Sequence, residues 1–273
     1  MTDNLGPASD LFGMVDSLAS IEGGPGEDGL AFAAAYMAEG EMDFSILARF
    51  QSPEQVARRE QRATWRKAND WPGLSHYRNA NTERQGQVAK VVFIGDSITE
   101  MWAVAEPDLF RDGVINRGVS GQTSPQILLR FMADVIALKP RAVHLMCGVN
   151  DVAGNTGPTT ADDYRNNTLA MLDLARAHGV TVILGGLTPV GDMPWAPQIR
   201  NARERVAELN AWLAEVAEAR GVAFIDYFSV LAADDRAMRA EFTRDGVHPG
   251  RSGYAAMRPL TDAALETALA GCV

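Results

Sequence analysis

The chain has 273 residues, 47% of them hydrophobic and 22% charged, with a formal net charge of -10. That suits one large α/β domain, alone or with an appendage, able to bury a substantial core. The acidic balance argues against nucleic acid or an anionic membrane as partner, and Cys147 and Cys272 give neither a disulfide framework nor zinc-ligand spacing.

Residues 1–87 read as an N-terminal extension, partly mobile, with short helices. Met1 to Ser20 carry Asp3, Asp10 and Asp16 and no basic residue, the wrong charge for a secretory signal. No run is long and apolar enough to cross a bilayer, so the expectation is a cytoplasmic protein without membrane insertion. Residues 1–29 are rich in Gly, Pro, Asp and Ser and are expected to be mobile unless they dock on the body. A short apolar helix is expected over 30–38. A better one starts after Ser52, with Pro53 in its first turn and Gln55 in capping-box position, and runs to about Ala68. Trp71-Pro72 stops it, and Trp71 to Gln85 reads as a connector.

From residue 88 to 273 the rhythm is that of one α/β domain. Five strands are predicted: Val91–Ile94, Val114–Asn116, Ala142–Met146, Val180–Gly185 and Val222–Asp226. Most are continuous apolar runs, as in parallel strands covered on both faces. Between them lie amphipathic helices. Ile127, Leu128, Phe131, Val135 and Leu138 form one apolar stripe, and Ile199, Ala202, Val206, Leu209, Leu213 and Val216 another. Thr160 with Asp163 caps a third helix, and a last one covers about Gly253 to Ala268. The pattern predicts a three-layer α/β/α fold with a five-stranded parallel, flavodoxin-like sheet. Ligands of such sheets bind beyond the carboxyl ends of the strands.

Four short motifs fall at those ends: Gly95-Asp96-Ser97, Asn116-Arg117-Gly118, Gly148-Val149-Asn150-Asp151 and Asp245-Gly246-Val247-His248. Each alone could be an ordinary turn or cap. Together they supply a hydroxyl nucleophile, an imidazole base, a carboxylate to orient it, and donors for an oxyanion. Ser97 sits where a buried strand turns into a helix, its own N–H aimed at the reacting oxygen. Asp245 lies three residues before His248, close enough to reach Nδ1 and leave Nε2 for the serine. Asp96 and Asp151 are expected to be structural. His144 falls inside an apolar strand and reads as buried, whereas His76 and His178 are expected to be solvated. Gly118-Val119-Ser120-Gly121-Gln122 misses the nucleophile elbow G-x-S-x-G at its last position, which makes Ser120 a decoy.

The order and residue types of these motifs resemble the SGNH hydrolases, also called the GDSL lipase/esterase family, and loosely its bacterial carbohydrate-esterase branch. The resemblance covers about residues 88–270. It implies a metal-independent serine esterase without cofactor, with Ser97, Asp245 and His248 catalytic and an oxyanion hole of Ser97, Gly118 and Asn150. The expected substrate is a small short-chain ester, with acetylated sugars and aryl esters as candidates. Thioesterase, lysophospholipase and a catalytically idle binding protein of the same fold are alternatives. Met193 and Trp195, in the proline-stiffened loop after the fourth strand, either line the substrate pocket or merely pack. The N-terminal extension is a candidate surface for homo-oligomer formation.

Overall fold

The computed structural model describes residues 26–40, 43–84, 86–193 and 195–270. Cys272 and residues 1–25, including most of the segment expected to be mobile, lie outside them. Chain order gives helices α1 (Gly26–Tyr36), α2 (Phe44–Phe50), α3 (Pro53–Asn69) and α4 (Arg78–Glu83), then strand β1 (Val91–Gly95) and α5 (Ser97–Ala105). There follow β2 (Val114–Gly118), α6 (Ser124–Asp134), β3 (Ala142–Met146), α7 (Val149–Ala153) and α8 (Ala161–Ala177). The chain finishes with β4 (Thr181–Gly185), α9 (Ala202–Arg220), β5 (Ala223–Ile225), α10 (Tyr227–Leu231) and α11 (Arg251–Ala270).

All five strands are parallel, in the order β2-β1-β3-β4-β5. This is the flavodoxin-like order, with β1 and β3 flanking the point where the winding reverses. Every residue of β1 and β3 is buried, because helices cover both faces of the central sheet, and that is why these strands read as apolar runs, interrupted in β3 only by His144. The register aligns Gly95 with Gly118 and with Met146, so the loops after β1, β2 and β3 leave one rim side by side. Thr160 and Asp163 cap α8 reciprocally, and the Ser52 hydroxyl accepts the Gln55 N–H at the start of α3.

Several elements depart from expectation. The helix sought at 30–38 runs from Gly26 to Tyr36, and α2 was not anticipated. The connector expected over 71–85 contains α4. That helix has no buried residue and is fixed by polar bonds: Asn81 Nδ2 donates to Asp134 at 2.7 Å, and Arg117 Nε donates to Asn81 Oδ1 at 2.9 Å. Such a segment carries no apolar period to read. The apolar stripe of α9 begins one turn early, since Ile199 packs on the core from the loop before the helix.

One buried side chain ties the active rim together. Arg130 of α6 is fully buried and donates to the Gly95 carbonyl at 2.9 Å, the Arg117 carbonyl at 2.8 Å, Asp134 at 3.0 Å and Gln122 Oε1 at 2.5 Å. Its charge is paired and its donors are satisfied, which is the condition for burying a guanidinium. It thereby joins the end of β1 to the end of β2 and to the turn that follows.

Candidate active site

Ser97 is the first residue of α5, one residue beyond the buried end of β1. Asp96 N-caps the helix, its Oδ1 accepting the Ile98 N–H at 3.0 Å. Burial pushes the Asp96 carboxyl up to about 6, against the opposing pull of that bond and of His248. The strand-to-helix turn leaves the Ser97 side chain partly exposed on the wall of a cavity of about 1280 Å³.

The loop before α11 brings the base. Ser97 Oγ lies 3.0 Å from His248 Nε2, and His248 Nδ1 lies 2.7 Å from Asp245 Oδ2. A carboxylate beside Nδ1 keeps the proton on that nitrogen and leaves Nε2 free to accept from the serine. Asp245 Oδ1 takes the backbone N–H groups of Val247 and His248 at 2.9 and 2.8 Å. Burial alone would raise its carboxyl. The bond to His248, the charge of the imidazole and the two backbone donors outweigh that and hold it well below the usual carboxylate range. The loop is also pinned to the one after β4, where Gly191 N–H donates to the Gly246 carbonyl at 2.6 Å.

An N-terminal residue completes this arrangement. Tyr36, the last residue of α1, donates its hydroxyl to Asp245 Oδ1 at 3.0 Å and to the His248 carbonyl at 2.9 Å. The same oxygen accepts the Arg244 N–H at 3.1 Å. Burial and the neighbouring Asp245 charge push the phenol up to about 12, so it stays a donor at any ordinary pH. Nothing local in the sequence points to this contact, which spans 209 residues.

Two of the expected oxyanion donors stand on the cavity wall. The Ser97 N–H has no acceptor among the described residues. Asn150, in the first turn of α7, is buried. Its Oδ1 accepts from Asn155 Nδ2 at 2.6 Å, and one Nδ2 hydrogen goes to the Gln122 carbonyl at 3.0 Å. These partners fix which way the amide points and leave its second N–H for the cavity. Asp151 anchors α7 by accepting the Ser124 N–H and hydroxyl at 2.9 and 2.6 Å.

Gly118 is the correction. Its N–H is taken by Asn116 Oδ1 at 2.8 Å, and it lies against α5, where an added Cβ would stand 2.2 Å from the Glu100 nitrogen. It does not line the cavity. Gly121, three residues on, does; its φ of +79° and a Gln122 N–H bond to the Val119 carbonyl define a tight turn, and its own N–H has no acceptor among the described residues. Its signal in the sequence is the Ser120-Gly121 pair of the incomplete G-x-S-x-G pattern.

The remaining sequence-marked residues divide. Trp195 lines the cavity, 46% exposed, with its ring centroid 6.5 Å from that of His248 and its Nε1 donating to Asn155 Oδ1 at 3.2 Å. Met193 is instead buried in the core, because its loop folds back onto the sheet end. Ser120 is tied to Glu100, which accepts both its hydroxyl and its N–H. His76 is buried rather than solvated, its Nε2 3.3 Å from Glu100 Oε1. His144 is buried as expected, stacked on Phe93 and driven down to about 3 by desolvation. Burial raises the Cys147 thiol well above its ordinary range, which leaves it unreactive.

No helix among the described residues is long and apolar enough to cross a membrane. Residues 93–256 match the GDSL-like lipase/acylhydrolase family. A solved GDSL-like lipase of Bacteroides thetaiotaomicron VPI-5482 is 38% identical, with a TM-score of 0.71 over 73% of this chain and 100% of that one. A Bacteroides fragilis NCTC 9343 structure assigned as an acylhydrolase is also 38% identical, with a TM-score of 0.71 over 74% and 99%. The fold alone is shared with an acetyl xylan esterase at 23% identity, TM-score 0.53, over 64% and 98%. An 80-residue stretch, 28% of this chain, is 32% identical to the uncharacterized lipoprotein YqeF of Bacillus subtilis (strain 168) and spans 33% of that protein.

Proposed function

Because the chain belongs to the GDSL-like lipase/acylhydrolase family, we propose that it is a serine esterase cleaving short-chain carboxylic esters, acetyl esters foremost, through Ser97, His248 and Asp245. The observation that carries this reading is the continuous relay from Ser97 Oγ through His248 to Asp245, at 3.0 and 2.7 Å, on the rim where the strands end. His248 Nε2 takes the hydroxyl proton as Ser97 Oγ attacks the ester carbonyl. Asp245 steadies the imidazolium that results. The negative oxygen of the tetrahedral intermediate is received by the N–H groups of Ser97 and Gly121 and by the Asn150 amide. His248 then gives its proton to the departing alkoxide, leaving an acyl-serine. Water, deprotonated by the same histidine, attacks that ester and releases the carboxylic acid.

Short acyl groups are favoured because the cavity wall mixes apolar residues with many polar ones, Asn150, Asn155 and Gln55 among them. The test is a panel of nitrophenyl esters of rising acyl length, run with the wild type and Ser97→Ala. The acetyl ester should be turned over fastest, and Ser97→Ala should cut kcat by at least roughly 10⁴-fold. Undiminished turnover in that variant would remove Ser97 from the reaction.

A further inference from the structure

Glu100 stands one turn beyond Ser97 on α5 and lines the same cavity, yet the triad and the oxyanion donors do not include it. Its side chain is largely buried, a costly place for a carboxylate unless its oxygens find donors. Both oxygens are engaged. Oε2 accepts the Ser120 N–H at 2.9 Å and the Ser120 hydroxyl as well. Oε1 lies 3.3 Å from Nε2 of the buried His76. Burial alone would raise the carboxyl. The His76 imidazole and the two Ser120 donors outweigh that and hold it below its ordinary range, so it stays an acceptor wherever a histidine base works.

What Glu100 holds is one end of a peptide. The Gln122 N–H bond to the Val119 carbonyl closes a β-turn in which Gly121, at φ +79°, is the third residue. A positive φ there marks a type II turn, whose central peptide joins Ser120 to Gly121. Types I and II differ in which way that peptide faces, and glycine accepts the backbone of either. Turning it over would exchange the Gly121 N–H for the Ser120 carbonyl. The flanks are braced by other groups. Asn116 Nδ2 donates to the Thr99 carbonyl at 2.6 Å, and Gln122 Nε2 donates to the Pro72 carbonyl at 2.7 Å. Arg130 and Asn150 also bond to Gln122. Ser120 takes its hold from Glu100 alone among the described residues.

We propose that Glu100 is a positioning residue of the esterase: through Ser120 it fixes the Ser120–Gly121 peptide so that the Gly121 N–H meets the oxyanion of the tetrahedral intermediate. This rests on the esterase reading above, with Gly121 as a donor. The helix that carries the nucleophile thereby also sets the turn that receives the negative charge. Glu100 touches no reacting atom, so its effect belongs to transition-state stabilisation and not to substrate affinity.

The test measures nitrophenyl acetate hydrolysis and inhibition by phenylboronic acid in Glu100→Ala and Glu100→Gln. The boronic acid takes Ser97 Oγ onto boron, with the hydroxyl proton passing to His248, and so offers a tetrahedral anion to the same donors. Glu100→Ala releases Ser120 and should lower kcat/KM by about 10–10²-fold, chiefly through kcat, a smaller loss than deleting a donor outright. The boronate Ki should rise by a similar factor, because both constants report the oxyanion. Glutamine keeps an amide oxygen for both Ser120 donors, so Glu100→Gln should stay within about fivefold of the wild type.

A Glu100 that merely supports the fold would cost melting temperature and leave both constants, per folded molecule, at wild-type values; that result overturns the proposal. So does a glutamine variant as impaired as the alanine one. Should Glu100→Ala not fold, Ser120→Ala decides, since it takes the hydroxyl from the same carboxylate oxygen. Its boronate Ki should rise by about three- to tenfold, and an unchanged value overturns the proposal. Ser97-dependent turnover indifferent to Glu100 defeats this inference alone. Absence of Ser97-dependent turnover in the wild type defeats the esterase reading as well.

Discussion

Asn116 Oδ1 accepts the Gly118 N–H at 2.8 Å, which sets that glycine apart from Gly121, whose N–H has no acceptor among the described residues. Gly118 is a packing residue, Gly121 a donor on the cavity wall. Alanine at each position separates the two roles. At Gly118 the new Cβ meets backbone of α5 at 2.2 Å, so the helix must shift. A stability loss of about 1–3 kcal/mol is expected, with kcat reduced less than at Gly121 in the molecules that remain folded. At Gly121 nothing stands within 4 Å of the added Cβ, but the backbone is left-handed. The strain should cost about 1–2 kcal/mol, while a displaced donor lowers kcat by about 10²-fold. Thermal melts beside kcat values for the two variants check this, and the opposite pattern would return Gly118 to the reaction.

At the level of elements, α1 reaches the candidate site through its last residue, Tyr36. Tyr36→Phe removes one donor from Asp245 and leaves the His248 carbonyl and the Arg244 N–H short of a partner. The expected result is a fall in kcat of about tenfold with KM little changed, and a stability loss of about 1–3 kcal/mol. Steady-state kinetics and urea melts measure both, and an unaltered kcat would make Tyr36 a mere tie between segments. The β elements were legible because burial on both faces writes itself into sequence as apolar runs: Val91 to Ile94 and Ala142 to Met146 could hardly be anything else. The relay was legible because Asp245 and His248 sit within one turn of each other and Ser97 opens the helix that follows the first strand. Tyr36 and His76 were not, since their partners, Asp245 and Glu100, lie on other segments of the chain. Gly118 was misjudged because glycine at a strand end signals close approach without saying by what. Here it is α5, not an acyl group.

For the molecule as a whole, two carboxyls near the active rim set a pH dependence of stability. Burial pushes Asp96 and Asp151 each up to about 6. In the unfolded chain they return to about 3.9. The native state therefore holds their protons more tightly than the unfolded one. The stabilising effect of that difference is full below about pH 4, declines as pH rises to about 6, and is gone at neutrality. Asp245 works the other way: its lowered carboxyl favours the native state above about pH 4 and loses that effect in strong acid. Asp96→Asn keeps a competent helix cap and removes one buried charge. It should raise Tm at neutral pH by an amount on the order of 1–2 kcal/mol in stability, and lose that advantage near pH 4. Melts across this range test the sign, and a gain confined to acid would refute it.

Arg130 has a bearing on how the catalyst fails. Its guanidinium rivets the shoulder carrying Ser97 to the turn carrying Gly121, so those parts travel together. The imidazole arrives on a strap fastened elsewhere, by Tyr36, by the Arg244 guanidinium on the Ala38 and Gly40 carbonyls, and by a backbone bond to Gly191. Mild warming that slackens the strap would part base from alcohol while the riveted sheet still stands, and so silence the protein well before it melts.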